Sequence, residues 1–374
     1  MRLPLALLIS LTLPSGLSAR TWYINADGTG DAPSVQAGVD SAAAGDTVEL
    51  ACGTYYEHDV RLISGITIRT APGAVGCSTI DGQGSASVVL CLGVRNVSLV
   101  GLVVTGGGVG IRAWASTLAV SDCVLVGNEY GGLSAQESDI DASSCVFMDN
   151  GLDDHGGGAS IWGAPTIRRT GTPVGSRLYA NSFEDCVFGR NSARFGGAVA
   201  LNDGTGGTTA TFTRCVFFEN SATRRGGAID VIGVSTTLTS CTLVRNSIGD
   251  ADEGTISVSW SDLTLTNSVL AFGLGGTAIR CGGGSPPLLI CCDVYGNAGG
   301  NWVGCIADQY GQDGNISEAP LLCDLPGGDL TLAKNSPCLP ANNSCGIRMG
   351  AYGVGCDPIS VQPDTWARVK ARYR

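Results

Sequence analysis

The sequence predicts an all-β solenoid of short parallel strands stacked coil upon coil and opened by a short cap helix, and three observations carry that reading. One six-residue sentence recurs: Cys, a β-branched or polar residue, a large apolar residue, two variable residues, Asn. Its copies are Cys123-Val-Leu-Val-Gly-Asn128, Cys145-Val-Phe-Met-Asp-Asn150, Cys186-Val-Phe-Gly-Arg-Asn191, Cys215-Val-Phe-Phe-Glu-Asn220, Cys241-Thr-Leu-Val-Arg-Asn246 and Cys292-Asp-Val-Tyr-Gly-Asn297. The steps between them are 22, 41, 29, 26 and 51 residues. The last step is two units, because Ser268 in Leu265-Thr-Asn-Ser268-Val-Leu270 takes the Cys place; Leu102 takes it one unit upstream of Cys123. Finally, a Gly-Gly signature follows most Asn residues, as in Gly157-Gly158-Ala159, Gly196-Gly197-Ala198 and Gly226-Gly227-Ala228. Repeats of this period are stacked supersecondary units. Units this short hold strands and turns but no helix, so each strand pairs in parallel with its copy about 4.8 Å along the axis.

From the N-terminus, the elements follow in order. Met1-Arg2, an apolar run from Leu3 to Leu13 and the small residues up to Ala19 predict a signal peptide over 1–19, cleaved near Ser18 or Ala19. Residues 20–60 form the cap and first coil. Within them, Asp31–Ala42 is the helical-looking segment, with Val35 and Val39 four apart and Gly45-Asp46 ending it. Residues 61–322 are the coils, interrupted by a loop insertion near 163–181 inside the 41-residue step. Residues 323–356 are expected to make the closing coil or cap. Residues 357–374 are a tail whose basic residues Arg368, Lys370, Arg372 and Arg374 alternate. No other apolar run approaches the ~20 residues of a membrane helix.

The sixteen cysteines fall into two populations. The six of the repeat share one column, where in-register neighbours stand about 4.8 Å apart, beyond the ~3.8 Å a disulfide prefers. They are expected to be a buried, unpaired stack of small hydrophobes. Among the other ten, Cys52 and Cys77 lie 25 residues apart, one coil, and are the expected bridge. Zinc is disfavoured: there is no Cys-x-x-Cys, and His58 and His155 are the two histidines. The Asn column reads as an amide ladder rather than six catalytic groups.

The Cys-to-Asn repeat with Gly-Gly-Ala resembles the right-handed parallel β-helix family, the pectate-lyase-like superfamily. Phe188-Gly-Arg-Asn191 and Phe217-Phe-Glu-Asn220 are similar to the repeats of polymorphic outer-membrane proteins. The resemblance spans roughly residues 22–356. It implies a right-handed single-stranded parallel β-helix, a superfold that hosts lyases, hydrolases, esterases, adhesins and binding proteins. The chain departs from those outer-membrane proteins in having 18 residues after Cys356, too few for a membrane barrel.

Function is sought where the repeat is interrupted. Asp149-Asn-Gly-Leu-Asp153-Asp154-His155 is the one cluster of acids with a histidine, just before the insertion with Arg168, Arg169 and Arg177. Residues 165–246 carry nine Arg against five acids in a chain of net charge −11, predicting a basic stripe with Arg190, Arg194, Arg224 and Arg225 on an acidic rod. The leading expectation is a monomeric, secreted or surface-held protein binding a polysaccharide or cell-surface glycan through Arg169, Arg177, Arg190, Arg194, Arg224 and Arg225. The alternative is a polysaccharide lyase or hydrolase. Family lyases hold Ca²⁺ with carboxylates and use an Arg or Lys base, which implies Asp149, Asp153 and Asp154 as cation ligands. Asp153, Asp154, His155 and Arg168 are then the catalytic candidates. Polygalacturonase-type signatures are missing from the sequence, and an acidic pI near 4.6 argues against nucleic acid. Trp114, Trp162 and Trp260 are candidate sugar-stacking rings, with Trp162 expected in the core column of Leu201, Val231 and Val258.

Overall fold

The computed structural model describes residues 18–151, 155–163, 178–204 and 206–358. Asp153, Asp154, Arg168, Arg169 and Arg177, with nearly all of the signal peptide and tail, lie outside the described residues. What is described is a right-handed parallel coil with three faces. The first sheet has eleven strands, from Thr21–Ile24 through Thr117–Ser121, Asp139–Ser143 and Tyr179–Glu184 to Leu288–Ile290. The second contains the three-residue strands of the repeat, among them Val124–Val126, Val146–Met148, Val187–Gly189, Val216–Phe218 and Thr242–Val244. The third follows the Gly-Gly turns and includes Gly131–Gln136, Ala159–Trp162, Val199–Asn202 and Ile229–Ile232. Registers are strictly parallel: Phe147 pairs with Phe188, Phe188 with Phe217, and Phe217 with Leu243.

The repeat sentence is explained by its corners. Each column Cys is preceded by a residue in the left-handed region: Asp122, Ser144, Asp185, Arg214, Ser240 and Cys291, with φ between 52° and 54°. One such residue reverses the chain and turns the next side chain into the core, at a cost of about 1–2 kcal/mol without glycine. The corner before each ladder Asn repeats the device at Gly127, Asp149, Arg190, Glu219, Arg245 and Gly296. The Asn side chains then bridge coils. Asn150 donates from Nδ2 to Asn191 Oδ1 at 3.1 Å, Asn191 to Asn220 at 3.0 Å, and Asn220 to Asn246 at 3.0 Å. Each such Oδ1 also accepts the backbone N–H of the preceding coil's Asn, and Nδ2 also donates to a main-chain carbonyl.

All six column cysteines are free and buried, as are Cys91 and Cys338. Their thiols donate to carbonyls of the preceding coil, as from Cys215 to Phe183 at 3.2 Å and Cys241 to Phe212 at 3.3 Å. Ser268 keeps the place polar, accepting from the Cys241 N–H at 3.1 Å. Burial pushes the thiols of Cys91, Cys123 and Cys292 up to about 12. Ellman's reagent at pH 8 is therefore expected to find no reactive thiol in the native protein and eight after denaturation. A rapidly reacting native thiol would contradict the stack. The remaining cysteines form Cys52–Cys77, the expected bridge, and Cys281–Cys305, Cys291–Cys345 and Cys323–Cys356, which were not paired from the sequence.

The ends are closed differently from each other. The N-terminal helix is Val35–Ser41, shorter than the expected segment. Ser34 Oγ accepts the Ala37 N–H, and the Glu57 carboxylate accepts those of Val35 and Gln36. Gly38 lets the helix sit close on the first coil, because a Cβ would stand 2.8 Å from Ile24 Cδ1 and force that side chain to shift. At the far end, Ile306 on the short 3-10 helix Gly304–Gln309 enters the main core. Residues 323–356, expected as a closing coil or cap, instead pack along the side together with Leu322. Leu322, Leu330, Leu332, Leu339 and Met349 cover the outward residues Val216, Val244, Val269 and Ala271 of the second sheet. The physical reason lies in those positions: apolar on the outer face of the later coils, they need a cover.

Candidate functional site

Two surfaces of the described coil bear chemistry. On the outer face of the first sheet, strict alternation in Asp139–Ser143 buries Ile140 and Ala142 and turns Asp139 and Asp141 outward. Parallel register then makes a file, one residue per coil: Ser98, Ala119, Asp141, Ser182 and Thr211. Beside it run Thr117, Asp139, Ala180 and Thr209. These residues line an open groove of about 500 Å³. Asp141 Oδ1 accepts from Ser182 Oγ at 2.6 Å, and Asp139 Oδ1 accepts the Ala180 N–H at 3.0 Å. These bonds fix both carboxylates across the coil boundary.

The second surface is the corner between the second and third sheets, where most of the described arginines expected in the basic stripe lie. They do not form a bare stripe. Arg190 makes a bidentate pair with Asp149 at 2.8 Å for each bond, Arg245 faces Glu219 at 3.0 Å, and Arg225 reaches Asp230 at 3.0 Å. At the neighbouring corner, Arg214 clasps Asp185 and Glu184. Arg190, Arg214 and Arg245 thus meet acids one coil away, and Arg225 meets one on its own coil. Arg194 lies over the Phe195 ring at 5.1 Å, and Arg224 is exposed. The Asp149 carboxylate is committed to Arg190. Among the described residues, no group of three or more His, Cys, Asp or Glu could hold a metal ion.

His155, expected beside the acids, bridges to Phe195 and stacks on its ring at 4.9 Å, with Trp162 edge-on at 4.8 Å. Arg225 lies over the same Phe195 ring at 4.7 Å. The structure therefore gathers His155, Arg194 and Arg225 around Phe195. Trp162 is not in the core column: it pairs in register with Asn202 and Ile232 and faces outward, while Ile161 joins Leu201 and Val231 inside. The expected assignment was displaced by one residue, which on a strand exchanges the faces. Gly163, the last described residue before the insertion, follows the third-sheet strand Ala159–Trp162, and the chain is described again from Leu178, just before the first-sheet strand Tyr179–Glu184.

Beneath that cluster, Asp230 is buried, and burial raises its carboxyl to about 6 despite Arg225. Glu253 adds like charge nearby and accepts from Ser257 Oγ at 2.6 Å. The folded state thus binds a proton more tightly here than the unfolded chain, whose Asp titrates near 3.8. Its contribution is fully present below pH ~4 and lost as pH rises through about 6. Thermal melts over that window are expected to show a steeper fall for the wild type than for Asp230→Asn; equal slopes would contradict the assignment.

The comparisons with known proteins agree with this architecture. A model of the Chlamydia polymorphic membrane protein repeat matches residues 214–231. No curated protein matches the chain. Among solved structures, pectate lyase Pel9A superposes with a TM-score of 0.56 at 12% identity, covering 91% of this chain and 97% of that one. The chain is a parallel β-helix repeat protein. An alginate lyase from Paenibacillus sp. str. FPU-7 has a TM-score of 0.48 at 15% identity, covering 80% of this β-helix and 98% of the lyase. At 12% identity the pectate lyase match shows the fold alone. No helix among the described residues of the β-helix is long and apolar enough to cross a membrane.

Proposed function

We propose that this β-helix is a secreted or surface-associated glycan-binding protein whose ligand lies along the groove of the first sheet. The observation that carries the reading is the in-register file of hydroxyls and carboxylates around Asp139 and Asp141. Identical backbone spacing presents these groups about every 4.8 Å, a periodic surface suited to a periodic chain of sugar hydroxyls. The outward Asp141 carboxylate can accept hydrogen bonds from sugar hydroxyls, which are the stronger, charge-assisted kind. Four disulfides support an oxidising, extracellular setting. The first-sheet groove is preferred to the arginine corner because Arg190, Arg225 and Arg245 are each engaged by a carboxylate.

The test is a panel of immobilised polysaccharides probed with the intact protein. Asp141→Ala is expected to weaken retention about tenfold, about 1.4 kcal/mol, while Arg224→Ala changes it less than twofold. The opposite ranking would move the site to the arginine corner. Release of unsaturated uronides on adding Ca²⁺ would make the protein a lyase, with Asp153, Asp154 and Arg168 as the residues to vary.

A further inference from the structure

We propose that the corner between the third and first sheets carries a second, independent ligand site, an aromatic ridge for an extended, neutral, β-linked polysaccharide. Register places Leu92, Trp114, Gln136, Trp162, Asn202, Ile232 and Ser259 in one outward file, one residue per coil. Trp114 and Trp162 stand two coils apart, about 10 Å. Trp260 follows Ser259 at the same corner, three coils beyond Trp162, or about 14 Å. An extended β-linked chain repeats its ring faces on this scale, so rings two and three coils apart meet successive sugar faces.

The exposures fit a ligand surface rather than a core. Trp114 is 50% exposed, Trp260 73% and Leu92 47%. Trp162 is held in place: its indole N–H donates to Ser160 Oγ at 2.6 Å, and His155 packs on it edge-on. A ring fixed before binding loses little freedom on binding. Between the rings, Gln136 and Ser134 supply amide and hydroxyl groups for sugar hydroxyls. Arg112, in the strand beside the file, donates from Nε to Ser87 Oγ, and Glu137 follows Gln136 at the corner, so one charge of each sign flanks the ridge. This near balance of charge complements a neutral chain better than a uronate polymer.

The ridge holds whether or not the first-sheet groove binds anything, and the two are separable. Native affinity electrophoresis of the full protein in gels containing hydroxyethylcellulose, mixed-linkage β-glucan or glucomannan measures the ridge alone. Retardation by at least one of these polymers is expected, with at least a tenfold loss of affinity in Trp114→Ala and in Trp260→Ala, both surface substitutions. Asp141→Ala is expected to leave it unchanged. Bound polymer should also shift the intrinsic tryptophan emission, and less so in Trp114→Ala. Lack of retardation by all three polymers would overturn the proposal. Retardation that persists in the Trp114→Ala, Trp260→Ala double variant would also overturn it.

Discussion

Asn191→Ala is expected to destabilise the coil by about 3–5 kcal/mol, because it orphans several buried groups at once. The Asn191 Oδ1 accepts both the N–H and the side-chain Nδ2 of Asn150, each at 3.1 Å. Its Nδ2 donates to the Phe147 carbonyl at 2.8 Å and to Asn220 Oδ1 at 3.0 Å. Alanine removes all four bonds without admitting water, since the site is fully buried. Each coil contacts only its neighbours, so the damage should be local, opening the coils around residues 147–220 first. Urea unfolding followed by circular dichroism, with limited proteolysis to locate the opening, measures this. An unchanged midpoint would mean the ladder contributes nothing net.

Phe188→Ala should cost about as much, about 3–5 kcal/mol, by a different route. Phe188 lies between Phe147 at 4.7 Å and Phe217 at 5.0 Å, stacked nearly parallel to both. Phe183 and Phe212 meet it edge-on, at 5.7 and 6.3 Å. Truncation leaves a cavity among the four neighbouring rings and breaks pairs worth about 0.5–1.5 kcal/mol each. Phe188→Leu refills most of the volume, and its cost should stay near or below ~1.5 kcal/mol. Equal losses for Ala and Leu would show that ring stacking, not filled volume, dominates this core.

The frame was legible in the sequence because it is written in side chains that recur. Cys123 through Cys292 and Asn128 through Asn297 mark corners, and a corner needs the same residue in every coil. Ser268 and Leu102 were readable as substitutes because the spacing around them held. The candidate site was less legible. Asp139 and Asp141 sit in an ordinary strand, and only their alternation with Ile140 and Ala142 hinted that both face outward. The pairing of the arginines was not legible for a physical reason: Arg190 meets Asp149 from 41 residues away, so the two fall on different sides of a window drawn along the chain. Trp162 was assigned to the wrong face because its strand begins one residue off the expected register. The lateral packing of residues 322–356 depends on the outward apolar residues Val216, Val244 and Val269, which in sequence look like core.

The most direct test of a glycan held on the first sheet is carboxyl footprinting with carbodiimide and an amine, on the intact protein with and without a retained polysaccharide. Asp141, the exposed carboxylate of the file, should be labelled in the unbound protein and protected when the glycan is bound, with Asp27 and Asp250 unchanged. Unaltered labelling of Asp141 under saturating glycan would contradict the account.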